Sequence, residues 1–234
     1  MKILAIDTTQ EVCSAALQAD TGMIYREERA PRDHTRLILP QVESLLAEAQ
    51  LKLTDLDVLA FGRGPGSFTG LRIAAGVIQG LALGADLPVA PVSSLVTLAQ
   101  GIAREVPGTS QVCAAFDARI EEVYWGNFAM HDGIMVAAID EAVSSPEDVY
   151  LSAGGNWTAA GSGWAAYPQL RERLKDRIDQ VLSDRMPLAR DMLPIAAQMM
   201  NRNETVGAGQ AVPVYLRNKV AQTIEERRQS GAQP

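Results

Sequence analysis

The chain has 234 residues, 47% of them hydrophobic, and a formal net charge of −7 at pH 7. This length and composition predict a globular protein of one large or two small domains. The negative charge argues against a protein that holds a nucleic-acid backbone by itself, so a role in RNA processing would need a basic partner.

Two further features of the sequence bear on its compartment. Two cysteines are too few for a disulfide scaffold. The first residues lead directly into a strand pattern and not into a signal peptide. Together these features predict a cytoplasmic protein.

Hydrophobic periodicity and turn residues predict an α/β unit in the first half of the chain. Asp7-Thr8-Thr9-Gln10 and Asp20-Thr21-Gly22 indicate hairpin turns, so three antiparallel strands are expected first. A helix is then expected over 33–50, with Asp33 as its N-cap and Pro40 inside it. The other elements predicted in this half are strands at 58–61 and 87–92, a helix from about 69, and a helix over 94–104.

The stretch FGRGPGSFTGLRIAAGVIQGLALG, at 61–84, organises this first unit. Its turn glycines are expected to adopt backbone conformations closed to other residues, and Ser67 or Thr69 to cap the helix that follows. The turn lacks the Lys-Ser/Thr ending of a P-loop and the G-x-G-x-x-G spacing of a dinucleotide site, so a structural turn is favoured over a phosphate site.

The helix of this stretch carries glycines four residues apart, at Gly76, Gly80 and Gly84, which therefore lie on one face. Because the rest of the helix is almost entirely apolar, it needs cover on more than one side. A sheet of its own domain covers one side, and we infer that a partner protein covers the other. Close packing within the chain is the alternative explanation. The glycines are also expected to interrupt the helix and to leave it too short to span a bilayer, so no membrane is expected as a partner.

The second half of the chain repeats this outline weakly. A strand at 112–116 leads to the turn Asp117-Ala118-Arg119, and a hairpin follows at 122–130 and 134–139. This duplication predicts domains at 1–107 and 108–220, with the two Asp-bearing turns facing each other across a cleft. Residues 221–234 are charged and polar and are predicted to be a disordered tail. The weaker elements predicted here are a helical turn at 146–150, a strand at 157–161, and helices at 168–175 and at 191–201, the last capped by Asp191.

Asp7, Thr8, Thr9 and Asp117 are the candidates for contact with a nucleotide. In a duplicated α/β protein, such turns hold phosphates through backbone N–H groups and a metal through the aspartates. Simple Asx turns account for the same residues. The absence of a third acid or a lysine favours the simple turns over catalysis.

The histidines and cysteines offer no catalytic or metal site from the sequence. His34, at a helix start, and His131, in a hairpin turn, lack a second ligand at i+3 or i+4. His34 is expected to make a polar contact at the helix start or at an interface. Cys13 and Cys113 lie on strands with no positioned base nearby in the sequence.

Several motifs resemble the TsaB (YeaZ) family, which takes part in making the threonylcarbamoyladenosine modification of tRNA. The resemblance extends to about residue 218 and rests on the motifs ILAIDTT, PRDHTRLILP, the 61–84 stretch, PVSSL, DARIEEVYW, GSGW, DMLPIA and PVYLRN. It implies an actin-like, duplicated ribonuclease H-like fold, the class of sugar kinases and the Hsp70 ATPase, with a reduced second domain.

The resemblance also implies a function without catalysis. Members of the family are scaffold subunits that pair with the metal-dependent transferase TsaD as a heterodimer, and the ATPase TsaE joins them. TsaC supplies the threonylcarbamoyl-adenylate. Such a subunit has no cofactor of its own, meets tRNA only through the complex, and forms a homodimer when alone.

One motif supports the lack of a metal. In the catalytic subunit, the strand after the glycine-rich helix ends in Asn-His-x-x-x-His, whose histidines bind the metal. Ser94 and Leu98 stand at those places here. Neither an alcohol nor an alkane replaces imidazole as a ligand, so no metal is expected.

The resemblance finally gives the glycine-bearing helix a use. It implies that this helix, with the helix over 33–50, packs against the matching helices of the catalytic subunit. The residues expected to bind the partner are Arg32, His34, Ile38, Arg72, Ile73, Gly76, Val77 and Gly80.

Overall fold

The first half of the chain forms a five-stranded mixed sheet. The computed structural model describes residues 1–30 and 32–217. Its first sheet has the order β3-β2-β1-β4-β5, with β1–β2–β3 antiparallel and β1–β4–β5 parallel. The three antiparallel strands predicted at the start are therefore confirmed. The strands are β1 Ile3–Asp7, β2 Val12–Ala19, β3 Gly22–Arg29, β4 Val58–Gly64 and β5 Val89–Ser93.

Helices cover both faces of the first sheet. One face packs under α1 (His34–Glu48) and α2 (Phe68–Ala85), and the other packs under α6 (Ala189–Asn201). Because both faces are covered, β1 is buried at every position, which is why its sequence is an unbroken apolar run up to Asp7. Leu4 and Ile6 belong to the core under α1 and α2, whereas Ile3 and Ala5 belong to the core under α6.

The second sheet repeats the topology of the first. Its order, β11-β10-β6-β7-β8, matches β5-β4-β1-β2-β3 strand for strand, with β9 added beside β7. This repetition confirms the duplicated, actin-like α/β fold. The strands are β6 Gln111–Arg119, β7 Glu122–His131, β8 Ile134–Ala137, β9 Ala142–Ser144, β10 Trp157–Ala160 and β11 Ile178–Leu182.

Short helices and single turns complete the fold. They are α4 Gly163–Ala166 and α5 Pro168–Leu174, with single 3₁₀ turns at Leu53–Asp55, Pro146–Asp148, Lys175–Arg177 and Ala208–Gln210. Strands β9 and β11 were not predicted, because both are short and only half-buried and so lack a clear alternation.

The helix between the two sheets, α3 (Ser94–Glu105), joins them. It begins where predicted, because the Ser93 hydroxyl accepts hydrogen bonds from the backbone N–H groups of Leu95 and Val96. The apolar face of α3 packs into the core of the second sheet. Helix α6 then returns to the first sheet, and the Ala189 N–H donates to Ser14 Oγ at 2.9 Å. The boundary proposed at 107/108 stays a prediction, and the predicted tail at 221–234 lies outside the described residues.

One of the two predicted helix caps is confirmed in position only, and the other is wrong. Asp33 does occupy the N-cap of α1, but its side chain makes no cap hydrogen bond and pairs with Arg36 at 3.1 Å. Asp191 lies inside α6, which begins earlier, at Ala189. Its carboxylate is buried and accepts a hydrogen bond from Arg104 Nε at 2.7 Å, so it links α6 to α3 instead of capping a helix.

The expected interruption of α2 is also wrong. The helix is continuous over 18 residues, with Ser67 as its cap. By length and composition alone it is the one helix in 1–30 and 32–217 that could cross a membrane. Its inner face, including Ala74 and Ile78, is nevertheless buried in the core of the first sheet, so the helix is an integral layer of the α/β unit.

The glycine-rich turn before α2 is required mainly for space. Only Gly64 has a positive φ, +111°, so the expectation of special backbone conformations holds for one of the three turn glycines. A Cβ on Gly62 would lie 2.3 Å from Asp7 Oδ2, and one on Gly66 would lie 2.4 Å from the Thr9 carbonyl oxygen. The turn is therefore packed directly on the turn between β1 and β2.

The glycines of α2 differ sharply from those of the turn. Among the residues that the structure describes, a Cβ on Gly76, Gly80 or Gly84 would meet no atom within 4 Å. Close packing inside the chain, the alternative explanation for these glycines, is therefore contradicted, and their face is open.

Two glycine substitutions test this contrast. Gly80→Ala is expected to raise the free energy of unfolding by about 0.5–1 kcal/mol, because an exposed helical glycine costs that much relative to alanine. Gly70→Ala is expected to lower it by about 1–3 kcal/mol or more, because the new methyl group would lie 1.9 Å from the Thr8 carbonyl oxygen. Urea denaturation followed by circular dichroism measures both, and effects of the same sign would contradict the assignment.

Candidate functional site

A cleft of about 1350 Å³ lies between the two Asp-bearing turns. Gln10 and Glu11, after β1, border it on one side, and the end of β6 from Phe116 to Arg119 borders it on the other. The start of α2 and the segment from Val214 to Arg217 also line it. The two turns therefore face each other across a cleft, as the duplication predicts.

The two turns share one local structure. Asp7 Oδ1 accepts the backbone N–H of Thr9 at 2.7 Å, and Asp117 Oδ1 accepts that of Arg119 at 2.8 Å. Each aspartate thus binds the backbone two residues ahead, which is the Asx turn that the simpler interpretation requires. Asp117 Oδ1 also accepts from the Tyr167 hydroxyl at 3.1 Å.

Burial separates the two aspartates. Asp7, Thr8 and Thr9 are fully buried beneath the glycine-rich turn, whereas Asp117 borders the cleft. The first three side chains therefore do not line the cleft, which corrects the expectation that they contact a nucleotide there. For Asp117 this contact stays a prediction.

The buried Asp7 carboxyl has an unusual ionisation. Burial raises its pKa from 3.8 to about 7, although the two hydrogen bonds from Thr9 oppose this shift. Asp7 Oδ2 is buried, has no hydrogen-bond partner among the described residues, and faces Gly62. The Asp7 carboxyl is therefore enclosed between its own turn and the glycine-rich turn, and it does not face the cleft.

Ser94 and Leu98, which stand where the catalytic subunit has its histidine ligands, are packed inside the protein. Ser94 is buried, and its hydroxyl donates to Thr9 Oγ1 at 3.1 Å, while Thr9 Oγ1 in turn donates to Asp7. Leu98 is buried in the core of the second sheet. Within 1–30 and 32–217, no group of three histidine, cysteine or acidic side chains could hold a metal ion.

A second polar group beside this chain was missed by the sequence analysis. Glu141, in the segment between β8 and β9, is half-buried and accepts a hydrogen bond from the Ser93 hydroxyl at the start of α3. Burial raises the pKa of Glu141, and Ser93 and the Arg63 charge oppose that shift. Glu141 lies in an irregular segment with no recognisable pattern, so no sequence signal pointed to it.

The residues expected on α1 have different positions. Ile38 is fully buried in the core of the first sheet, so the expectation that it contacts a partner is corrected: it is a packing residue. His34 is 7% exposed and borders the cleft, and its Nδ1 has no hydrogen-bond partner within 1–30 and 32–217. Burial lowers its pKa, whereas the Gln10 backbone and the Asp33 charge raise it. Arg32 is exposed at the same edge.

The outer face of α2 is an open, largely apolar stripe. Arg72, Gly76 and Gly80 are exposed along it, with Ile73 and Val77 half-buried at its edge. The Arg72 guanidinium lies 3.8 Å from the centre of the Phe68 ring. Five residues expected at a partner surface are thus brought onto one helix face.

Two large side chains on this stripe escaped the sequence analysis. Phe68 is 56% exposed and Leu83 is 80% exposed. Leu83 is one of the apolar residues of the helix for which cover is predicted, but the composition of the helix alone does not place it on the glycine face. Its spacing from Gly76 and Gly80, which continues a four-then-three repeat, is the signal that would have placed it there.

Comparison with known proteins gives a consistent result. Residues 21–223 match a protein-family model described as TsaD, tRNA N6-adenosine threonylcarbamoyltransferase. The chain is 48% identical to the tRNA threonylcarbamoyladenosine biosynthesis protein TsaB of Escherichia coli K12 over 227 residues, 94% of this chain and 96% of the relative. It is 41% identical to the protein of the same name from Haemophilus influenzae, over 94% and 95% of the two chains.

Solved structures agree with these relatives. YeaZ from Pseudomonas aeruginosa superposes with a TM-score of 0.86 at 44% identity, over 92% of this chain and 99% of that one. A second structure, described as an uncharacterized protein with similarity to peptidase YeaZ from the same organism, also gives 0.86, at 45% identity and the same coverage.

The Asp7 carboxyl generates a prediction about stability and pH. Because the folded chain holds this proton more tightly than the unfolded chain, its contribution to stability is complete below about pH 4 and is lost as the pH rises through about 7. Asp7→Asn resembles the protonated acid and does not titrate. Between about pH 5 and 8, the free energy of unfolding of the unaltered chain is expected to fall by a few kcal/mol more than that of the variant.

Urea denaturation of both chains at several pH values measures this difference. Glu141 and Asp191, whose pKa values burial also raises, are common to the two chains and so cancel in the comparison. Parallel curves for the two chains would contradict the raised pKa of Asp7.

Proposed function

Because the chain belongs to the TsaB (YeaZ) family, we propose that it is a non-catalytic scaffold and activator subunit of a complex that makes threonylcarbamoyladenosine in tRNA. Its relatives are named for the biosynthesis of this modification. In this proposal the chain acts in the cytoplasm, carries no cofactor of its own, and meets tRNA only through the complex. A net charge of −7 fits a subunit that leaves the grip on RNA to its partners.

The observation that carries the proposal is the open outer face of α2. An exposed Leu83 lies on this helix together with three glycines whose Cβ positions have no described atom within 4 Å, and the other faces of the helix are apolar. Backbones that approach closely at glycine allow neighbouring aliphatic side chains to be buried together. We assign this face to a partner protein.

The partner we propose is a TsaD-type catalytic subunit. The match of residues 21–223 to the TsaD family model supports a common fold in the two subunits. Equivalent helices of two such proteins can pack face to face. When the chain is alone, a second copy would cover the same face as a homodimer. The contact surface we propose comprises Arg32, His34, Arg72, Ile73, Gly76, Val77 and Gly80.

A TsaE-type ATPase is the third proposed member of the complex. The cleft with Asp117 on its wall is the place where we propose a remnant of nucleotide contact, shared with the bound subunits. At the ends of β1 and β6, each aspartate already accepts a hydrogen bond from its own turn. This supports a reduced role for these aspartates in binding a nucleotide.

The second candidate function is an enzyme, either a metalloprotease or a small-molecule phosphotransferase of the actin-like class. One similar structure is described by its likeness to a peptidase, which is the observation that favours it. Metal analysis and nucleotide titration of the isolated chain separate the two proposals. Stoichiometric zinc or iron together with turnover by this chain alone would establish the enzyme.

A bulky residue on the glycine face is expected to block assembly. Gly76→Leu and Gly80→Leu each place a side chain where a partner backbone would approach, and no described atom lies within 4 Å of the new Cβ position. Pull-down with the TsaD-type subunit is expected to lose binding by at least tenfold, while circular dichroism and melting remain those of the folded chain.

The matched control adds leucine at an exposed helical position far along the chain. Arg171→Leu on α5 serves this purpose and is expected to bind normally. Unchanged binding of both glycine variants would show that the interface lies elsewhere.

Reconstitution tests the function itself. Purified TsaC-, TsaD- and TsaE-type proteins with tRNA, ATP, threonine and bicarbonate are expected to form the modified nucleoside only when this chain is added, as measured by mass spectrometry of the digested tRNA. Full activity in its absence would overturn the scaffold proposal.

A further inference from the structure

Residues 211–217 form an irregular segment that crosses from the first sheet to the second, and we call it the strap. Its beginning is held firmly by the first half of the chain. Ala211 is buried in the core under α2, and its carbonyl accepts a hydrogen bond from Gln79 Nε2 at 3.0 Å. The Val214 N–H then donates to the Arg63 carbonyl at 2.8 Å, at the end of β4.

The far end of the strap is held by the second sheet. Arg217 Nε donates to Glu122 Oε2 at 2.9 Å, and its Nη2 donates to the Arg119 carbonyl at 3.2 Å. The Arg217 guanidinium also lies 5.9 Å from the centre of the Tyr124 ring. All three contacts belong to the hairpin of β6 and β7.

Between these anchors the strap runs along the cleft. Val214 to Arg217 line it, together with Gln10 and Asp117. Val212 and Tyr215 are about half exposed, and the Tyr215 ring lies 5.8 Å from that of Phe68 at the start of α2. The strap thus connects the two walls of the cleft and touches the open face of α2.

A second connection between the two sheets, through α3, is of a different kind. Leu95, Leu98 and Ile102 of α3 are buried in the core of the second sheet, so this contact is apolar and extensive. A change in the width of the cleft would therefore pivot about α3 and would have to stretch or release the strap. The ion pair at its far end is partly exposed, with side-chain exposures of 14% for Arg217 and 39% for Glu122. A partly exposed ion pair is a weaker anchor than a buried apolar one.

We propose that the strap is a clasp that sets the width of the cleft, with the ion pair between Arg217 and Glu122 as its releasable end. The clasp is formed entirely by contacts within this chain, so the proposal does not depend on the scaffold function. Only its consequence for assembly, through the contact of Tyr215 with the start of α2, rests on that proposed function.

A distance measurement across the cleft tests the clasp. Spin labels at Glu43→Cys on α1 and at Glu147→Cys beside β9 report on the two halves, since both positions are exposed. Cys13 and Cys113 are buried, and burial raises the pKa of each thiol to about 12, so neither competes for the label. Arg217→Gln and Glu122→Gln are each expected to lengthen the mean distance by several ångströms and to broaden its distribution.

Arg26→Gln provides the matched control. Arg26 pairs with Glu48, also partly exposed, and both lie within the first half of the chain. This variant is expected to leave the distance unchanged. Each variant is first compared with the parent by circular dichroism and thermal melting. Arg217→Lys keeps the positive charge and is expected to lengthen the distance between the labels by less than Arg217→Gln does.

The outcomes separate clearly. An unchanged distance in both Arg217→Gln and Glu122→Gln would overturn the clasp. A shift in Arg217→Gln alone would overturn the assignment of Glu122 as its end. An equal shift in Arg26→Gln would show general loosening and would also overturn it. Because the labelled chain is measured alone, these results do not depend on whether the scaffold proposal succeeds.

Discussion

The close approach of two backbone turns is the constraint on which the rest of the molecule depends. The glycine-rich turn before α2 lies on the turn after β1 so tightly that Gly62, Gly66 and Gly70 have no room for a Cβ atom. The Ser67 N–H donates to the Thr9 carbonyl, and the Thr8 hydroxyl donates to the Gly70 carbonyl. This contact fixes where α2 begins and which of its faces turns outward. It also seals Asp7 away from water.

The sequence predicted the parts of this arrangement that leave a local pattern. Apolar alternation located β1 to β3, and Ser93 marked the start of α3, because strand periodicity and capping are local properties. The role of the turn glycines was misjudged, since a neighbour distant in the chain, and not the backbone conformation, excludes a side chain at two of them. Asp191 was misplaced for the same reason: its partner, Arg104, lies on another helix.

In the candidate site, too, some features were predictable from the local sequence and others were not. The face of α2 was predictable, because glycines four apart must share one side of a helix. The burial of Ile38 and of Asp7 to Thr9 was not, because it depends on which elements pack above them. The two Asx turns and the packed positions of Ser94 and Leu98 together describe a duplicated fold whose central polar positions serve its own architecture. Its open surface is on α2, away from those positions.

The return of α6 to the first sheet has a consequence for biosynthesis. Ile3, Ala5 and Ala16 share a core with Met192 and its neighbours on α6, which follow much later in the chain. A ribosome must therefore deliver most of the polypeptide before the earliest strands are sheltered, and long-range closure of this kind slows folding. A fragment ending near residue 107 would leave one side of its sheet bare, so the architectural repeat is not a pair of independently folding halves.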